Sequence, residues 1–195
     1  MQQRTMLSLA LVAIVVATAC AGGSPSGPSS SGSTGTLNLR LTDTPFSDAR
    51  AVLVTFSTVT AHRSDSDWTS VPFAAAAASR TCDLKRLEGP QALLGTGPLP
   101  AGRYTMVRLV VSGAAIHFDN PTTGPDACAP AIPAPAGRSA NLEISSGEVR
   151  LNRGFDLAAD GATTILLDFD GDRSIRETGN GRYMMSPVIG ILSVQ

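Results

Sequence analysis

The sequence predicts an all-β chain, folded as an antiparallel β-sandwich of about eight or nine strands with at most short helical turns. Three observations carry this. Apolar residues recur with a period of two over most of the chain from Thr36 onward. Nineteen glycines and thirteen prolines in 195 residues punctuate that pattern with turns. Helical periodicity is nearly absent; Leu84–Leu94 and Ala74–Ala78 have room for a turn or two.

The elements follow in order. Leu37, Leu39 and Leu41 alternate with Asn38, Arg40 and Thr42, a half-buried strand. Val52, Val54 and Phe56 form a second, and Val59 and Ala61 fall on the opposite parity, which predicts a bulge near Ser57-Thr58. Trp68–Phe73 is a short strand behind the polar turn Ser64–Asp67. Tyr104–Val111 is apolar on both parities, which predicts a central strand covered on both faces. Ala114, Ile116 and Phe118 alternate. The pairs Leu142/Ile144, Val149/Leu151 and Phe155/Leu157 read as short strands or hairpin arms. In Thr163–Asp170, Ile165, Leu167 and Phe169 face one way and Asp168 and Asp170 the other. Arg182–Met185 and Val188–Val194 close the chain, with Pro187 at an edge or bulge.

Residues 1–19 form a signal peptide: Arg4, an apolar run from Met6 to Val16, then small residues. The run is shorter than the ~20 residues that span a bilayer. Ala17-Thr18-Ala19-Cys20 resembles a bacterial lipobox, with Ala17 where Leu is usual. The resemblance implies cleavage before Cys20, a thioether-linked diacylglycerol, and acylation (palmitate) of the new amine. An ordinary signal peptide with an incidental Cys is the alternative. Cys20 and residues 21–35, all Ala, Gly, Ser, Pro or Thr, make a flexible tether spanning roughly 20 Å. Residues 36–195 are then a single domain. Ala21 is not an acidic retention signal, so a bacterial cell envelope location is expected, lipid-anchored, at the outer membrane or cell surface.

Leu99-Pro100-Ala101-Gly102 makes a tight turn into Tyr104, as in transthyretin-like, prealbumin-type sandwiches. Further blocks share an order with one family: Gly35–Asp43 with Pro45, Val52–Phe56 with Val59 and His62, and Asp83-Leu84 with Leu87. Leu93-Leu94-Gly95, Leu99–Gly102 with Tyr104, and Arg108-Leu109 follow. Leu167–Asp170 with Ser174-Ile175, Gly179–Tyr183 and Pro187–Ile189 complete the set. Over residues 35–192 the chain resembles the bacterial domain of unknown function 4382. The resemblance implies a secreted or lipid-anchored β-sandwich and brings no assigned chemistry. The Pro-rich stretch 119–137 reads as an insertion relative to that pattern.

Three Cys are present. With Cys20 lipidated, Cys82 and Cys128 form a disulfide in an oxidising compartment, stabilising by roughly 4 kcal/mol in the chain-entropy model. Two buried free thiols are the alternative.

The charge balance is 15 basic to 16 acidic residues, which disfavours nucleic acid as a partner. No Gly-x-Ser-x-Gly, His-Glu-x-x-His, phosphate-binding Gly-rich loop or Cys-x-x-Cys occurs. His62 and His117 read as polar-face residues, and Glu143 and Glu148 are too generic to pair as acid and base. No catalytic residue is assigned. Asp168, Asp170 and Asp172 are the one metal candidate. Asp168 and Asp170 share a strand face about 7 Å apart, and Gly171 allows the chain to bring Asp172 near a calcium ion. Against this, Gly171 and Gly179 stand where an EF-hand loop needs other residues, and Arg173 and Arg176 are placed to neutralise a solvated acidic face. Trp68, Tyr104 and Tyr183 are candidates for sugar stacking or partner contact, Trp68 more naturally as a core anchor. Six Phe are expected to serve mostly the interior.

The expected role is a non-catalytic, surface-displayed binding or structural module, held to the membrane by its lipid and contacting envelope protein or carbohydrate. An envelope hydrolase, marked by convergent acidic groups with a perturbed pKa, and an accessory subunit, marked by an exposed apolar patch, are the alternatives.

Overall fold

The computed structural model describes residues 32–44, 46–64 and 66–195; the signal peptide, Cys20 and nearly all of the tether lie outside them. Leucine alternation forms β1 (Thr34–Thr44), and the chain then builds β2 (Ala51–Arg63), β3 (Trp68–Ser70), β4 (Arg80–Asp83), β5 (Ala92–Pro100) and β6 (Gly102–His117). β7 (Cys128–Ala129), β8 (Ser139–Ile144), β9 (Glu148–Leu151), β10 (Phe155–Leu157) and β11 (Ala162–Asp170) follow. One helical turn, α1 (Gly171–Ser174), precedes β12 (Ile175–Gly179), β13 (Arg182–Met185) and β14 (Ile189–Val194). Short 3₁₀ turns lie at Ala74–Ala76 and Leu84–Leu87.

The strands form the all-β sandwich the alternation predicts. One sheet has the order β14-β11-β1-β5. The other runs β12-β13-β8-β6-β2-β4-β7, with β3 on β2 and with β9 and β10 on β6. Two pairs depart from the antiparallel expectation: β1 with β11, and β8 with β13, run parallel. Parallel neighbours need a crossover. Here the chain leaves β1 for β2–β4 of the second sheet, returns to the first at β5, builds β6–β10 in the second, and only then reaches β11. The strands number fourteen among the described residues because hairpin arms and two- or three-residue pieces pair separately.

Leu37, Leu39 and Leu41 on β1 and Ile165, Leu167 and Phe169 on β11 are wholly buried. They belong to one core with Val52, Val54 and Phe56 of β2 and Val107, Leu109 and Val111 of β6. Phe56 and Phe169 meet edge-to-face with centroids 6.5 Å apart, a direct contact between the sheets. The predicted bulge falls at Ser57, where β2 slips against β6 between Phe56 and Thr58. Tyr104 is buried, stacked on Phe155 at 5.0 Å, and donates its hydroxyl to the Pro100 carbonyl at 2.8 Å. This corner anchors the tight turn before β6, where Gly102 adopts φ +146°.

β6 is central, but its second face is only half covered: Met106, Arg108 and Val110 are intermediate in exposure. β5 is not predicted by the alternation: its glycines and prolines break that pattern, and its first residues fall in Leu84–Leu94, where a helical turn is expected. It is an edge strand, where proline costs no ladder bond. Its glycines serve close approach: a Cβ on Gly95 would sit 2.8 Å from the Pro72 carbonyl oxygen, and one on Gly97 would sit 2.7 Å from the Pro72 ring. β12 and β13 form a hairpin around Asn180-Gly181, both at positive φ, a turn signal the alternation alone did not reveal.

The Pro-rich segment is stapled down. Cys82 and Cys128 face each other across β4 and β7 and form a disulfide with Cα atoms 4.0 Å apart. Beside it, the fully buried Asp83 carboxylate accepts from the Val52 and Lys85 amides at 3.1 and 3.2 Å and from the Thr122 hydroxyl. Arg80 and Arg86 donate to the carbonyls of Cys128, Pro125 and Asp126. The bridge closes a separation of 46 residues. Replacing both cysteines by serine is therefore expected to cost about 2–5 kcal/mol. Urea unfolding measures that loss, and limited proteolysis is expected to cut the variant first within residues 119–137.

Candidate functional site

β11 alternation does place Asp168 and Asp170 on one outer face, but each is already engaged. Asp168 accepts from the Thr44 hydroxyl at 3.3 Å to both oxygens. Asp170 caps α1, accepting from the Arg173 amide at 3.0 Å, with the Arg173 guanidinium 3.9 Å away. Asp172 lies exposed in that helical turn. The structure thus does not gather the calcium candidates Asp168, Asp170 and Asp172 into one site. Gly171 begins a helical turn instead of folding Asp172 back, and no group of three His, Cys, Asp or Glu able to hold a metal occurs among the described residues.

The notable carboxylate is a neighbour. Continuing the β1 alternation past Leu37, Leu39 and Leu41 puts Asp43 on the inward face, opposite Phe169. It is buried, and neither carboxylate oxygen has a hydrogen-bond partner. Burial pushes its pKa up to about 8, and the charges of Asp168, Glu88 and Asp170 add to the rise while Lys85 opposes it. Lys85 is itself ion-paired with Glu88. Asp43 therefore carries a proton at neutral pH. Its oxygens are sealed from solvent, which suits a buried acid and not a group that meets substrate.

The other sequence candidates separate by environment. His117 is not a polar-face residue: it is buried at the end of β6 with both ring nitrogens unpartnered. His62 does lie on a polar face, with Nδ1 3.0 Å from the Thr105 hydroxyl. Trp68, on β3 beside β2, is half-buried outside the core, on the face it shares with His62 and Arg108. His62 packs on it edge-on at 5.1 Å and the Arg108 guanidinium sits 4.3 Å from its ring. Tyr104 is core. Tyr183 borders an open concavity, about 420 Å³, with Phe118 and Arg138.

A larger concavity of about 480 Å³ lies between the Leu84–Leu94 segment and the Pro-rich loop, lined by Arg80, Arg86, Gln91 and Asp126. Burial lowers the pKa of Arg80, with Asp126 opposing. Both guanidinium groups are committed to backbone carbonyls, so they brace the loop more than they offer charge to a ligand.

Fold and surface together define a disulfide-stapled, two-sheet β-domain with open concavities. The chain belongs to the family described as Domain of unknown function (DUF4382), whose model matches residues 34–187. Comparison with curated proteins and with solved structures found no match.

Two outcomes follow. The Asp43 pKa is raised above its unfolded value of 3.8, so its contribution to stability is full below about pH 4 and is lost as pH rises toward about 8. Asp43→Asn should abolish this decline and be more stable than the parent at pH 8, read from urea midpoints of both proteins at intervals from pH 4 to 9. The melting temperature should be the same in millimolar calcium and in chelator; a rise with calcium would show ligands gathering where none do here.

Proposed function

We propose that the protein is a cell-envelope lipoprotein that displays a non-catalytic binding or structural module. The observation that carries this reading is the order of segments in the sequence. An apolar leader is followed by Ala17-Thr18-Ala19-Cys20, then by thirteen residues of Ala, Gly, Ser and Pro, and then directly by β1 from Thr34. A diacylglycerol together with an amide-linked chain would anchor stably where one chain would not. The tether would hold the sandwich off the surface. A disulfide between Cys82 and Cys128 supports export, since such bridges persist in oxidising compartments. The prealbumin-like reading belongs to the same proposal and is supported by the Tyr104 corner on the Pro100 carbonyl.

The hydrolase alternative asks for converging acids with a perturbed pKa. Asp43 meets the second condition, but its sealed oxygens do not favour contact with a substrate. Expression in a bacterial host with labelled palmitate tests the anchor. The parent should incorporate label and partition with membranes, and Cys20→Ala should do neither while keeping its melting temperature. Label in the Cys20→Ala protein, or a parent recovered unlabelled in the soluble fraction, would refute the anchor.

A further inference from the structure

The neck of the Pro-rich insertion builds a surface that differs from the rest of the domain. Phe118 and Asp119 enter the insertion at the end of β6, and Arg138 leaves it ahead of β8. Across the neck, the Phe118 amide donates to the Arg138 carbonyl at 3.1 Å. The Arg138 amide donates to Asp119 Oδ2 at 2.7 Å, and Arg138 Nε and Nη2 lie 3.1 and 3.0 Å from Oδ1. The Arg138 backbone N–H, with its side chain, holds the Asp119 carboxyl below the usual range, so the pair is ionised. Beside this clip, Tyr183 of β13 meets Phe118 with centroids 5.5 Å apart and planes tilted by 45°. The Arg138 guanidinium lies 5.7 Å from the Phe118 ring. Ser139, Ala140 and the hairpin residue Gly181 complete an open concavity of about 420 Å³. A Cβ on Gly181 would meet nothing within 4 Å, so that rim is open.

We propose that this concavity is a carbohydrate site that takes a neutral pyranose ring against the Tyr183 ring. A pyranose has an apolar C–H face and an edge of hydroxyls. The negative π-face of an aromatic ring attracts those C–H groups, and Tyr183 provides such a face at a half-buried position. Phe118 is already faced by Arg138 and its ring is in contact with Tyr183, so a single sugar ring would stack on the side of Tyr183 that borders the concavity. Arg138 Nη1, which makes no hydrogen bond among the described residues, and the Ser139 hydroxyl supply groups for the sugar hydroxyls. Charge selects the ligand class. Asp119 balances Arg138, so the patch offers hydrogen bonds without net charge, which suits a neutral sugar and not a phosphate or carboxylate. The volume lies within the range usual for small-ligand sites. The clip also fixes Arg138 before any ligand arrives, which lowers the ordering cost of binding.

This inference deepens the binding-module reading and is independent of the lipid anchor. Its test is calorimetry on the full chain in mild detergent, with neutral hexaoses of β-1,4-glucose, β-1,3-glucose, mannose and N-acetylglucosamine as probes. At least one hexaose should bind with a dissociation constant of roughly millimolar or tighter. Tyr183→Leu, which keeps apolar volume on β13, should weaken that binding at least tenfold, and Arg138→Ala should do so severalfold. Trp68→Leu, on the face shared with His62 and Arg108, should leave it unchanged. Melting curves confirm that each variant folds; if Tyr183→Leu does not, the exposed Arg138→Ala carries the test. No binding of any hexaose overturns the proposal. Binding that survives Arg138→Ala and a folded Tyr183→Leu overturns the site while sparing the wider reading, and acylation results bear on the anchor alone.

Discussion

The parallel register of β1 against β11 is the constraint on which the rest of the sandwich depends. It runs unbroken from Thr36 opposite Ala162 to Thr44 opposite Asp170. A slip of one residue would turn every side chain on a strand to the opposite face. In the observed register, Leu37, Leu39 and Leu41 line up with Thr163, Ile165 and Leu167 on the buried side. The outer side then receives Asn38, Arg40, Thr42 and the β11 carboxylates. Phe169 is carried inward to meet Phe56 of the other sheet. Because the pair is parallel, no hairpin can join its strands, and the chain between them builds β5 on the far side of β1 and most of the second sheet. Such non-local pairing is slow to close in folding.

The same register explains the Asp43 carboxyl. Nothing in its local sequence calls for a buried acid, yet the alternation that buries the three leucines buries the next inward position too. Three acidic neighbours and the loss of water leave protonation as the cheaper state, since a buried charge needs a partner and Asp43 has none. On the opposite face, Asp168 and Asp170 stay solvated and serve as acceptors for Thr44 and for the α1 cap. Adjacent carboxylates on one pair of strands thus take different roles, set by which side of the sheet each faces.

The Pro-rich segment 119–137 is ordered by a different physics. Its prolines and alanines supply little core, and it is held by a disulfide, the buried Asp83 acceptor, two arginines on backbone carbonyls, and the Asp119–Arg138 clip. Polar bonds of this kind are individually modest, but around one covalent bridge they leave the segment few alternatives. The clip sits at the neck, where Arg138 lies over Phe118 and Phe118 meets the Tyr183 ring, so the segment shapes a surface without entering the core.

The sequence by itself determined the all-β class, the strands of strongest alternation, the bulge after Phe56, the Pro100–Gly102 turn and the Cys82–Cys128 pairing. Each rests on local periodicity, turn chemistry or simple cysteine arithmetic, which act over a few residues or need no geometry. Only the tertiary structure decided the rest. β5 was hidden because its glycines answer to Pro72, more than twenty residues away in sequence. The β1–β11 partnership is a choice among distant strands that period two cannot rank. Asp172 stays apart from its neighbours because Gly171 opens a helical turn. Tyr104 goes inside, Trp68, more naturally read as a core anchor, stays outside the core and is capped by Arg108, and Tyr183 borders a concavity. Burial is a property of what packs on the other side, and for those residues the other side comes from elsewhere in the chain.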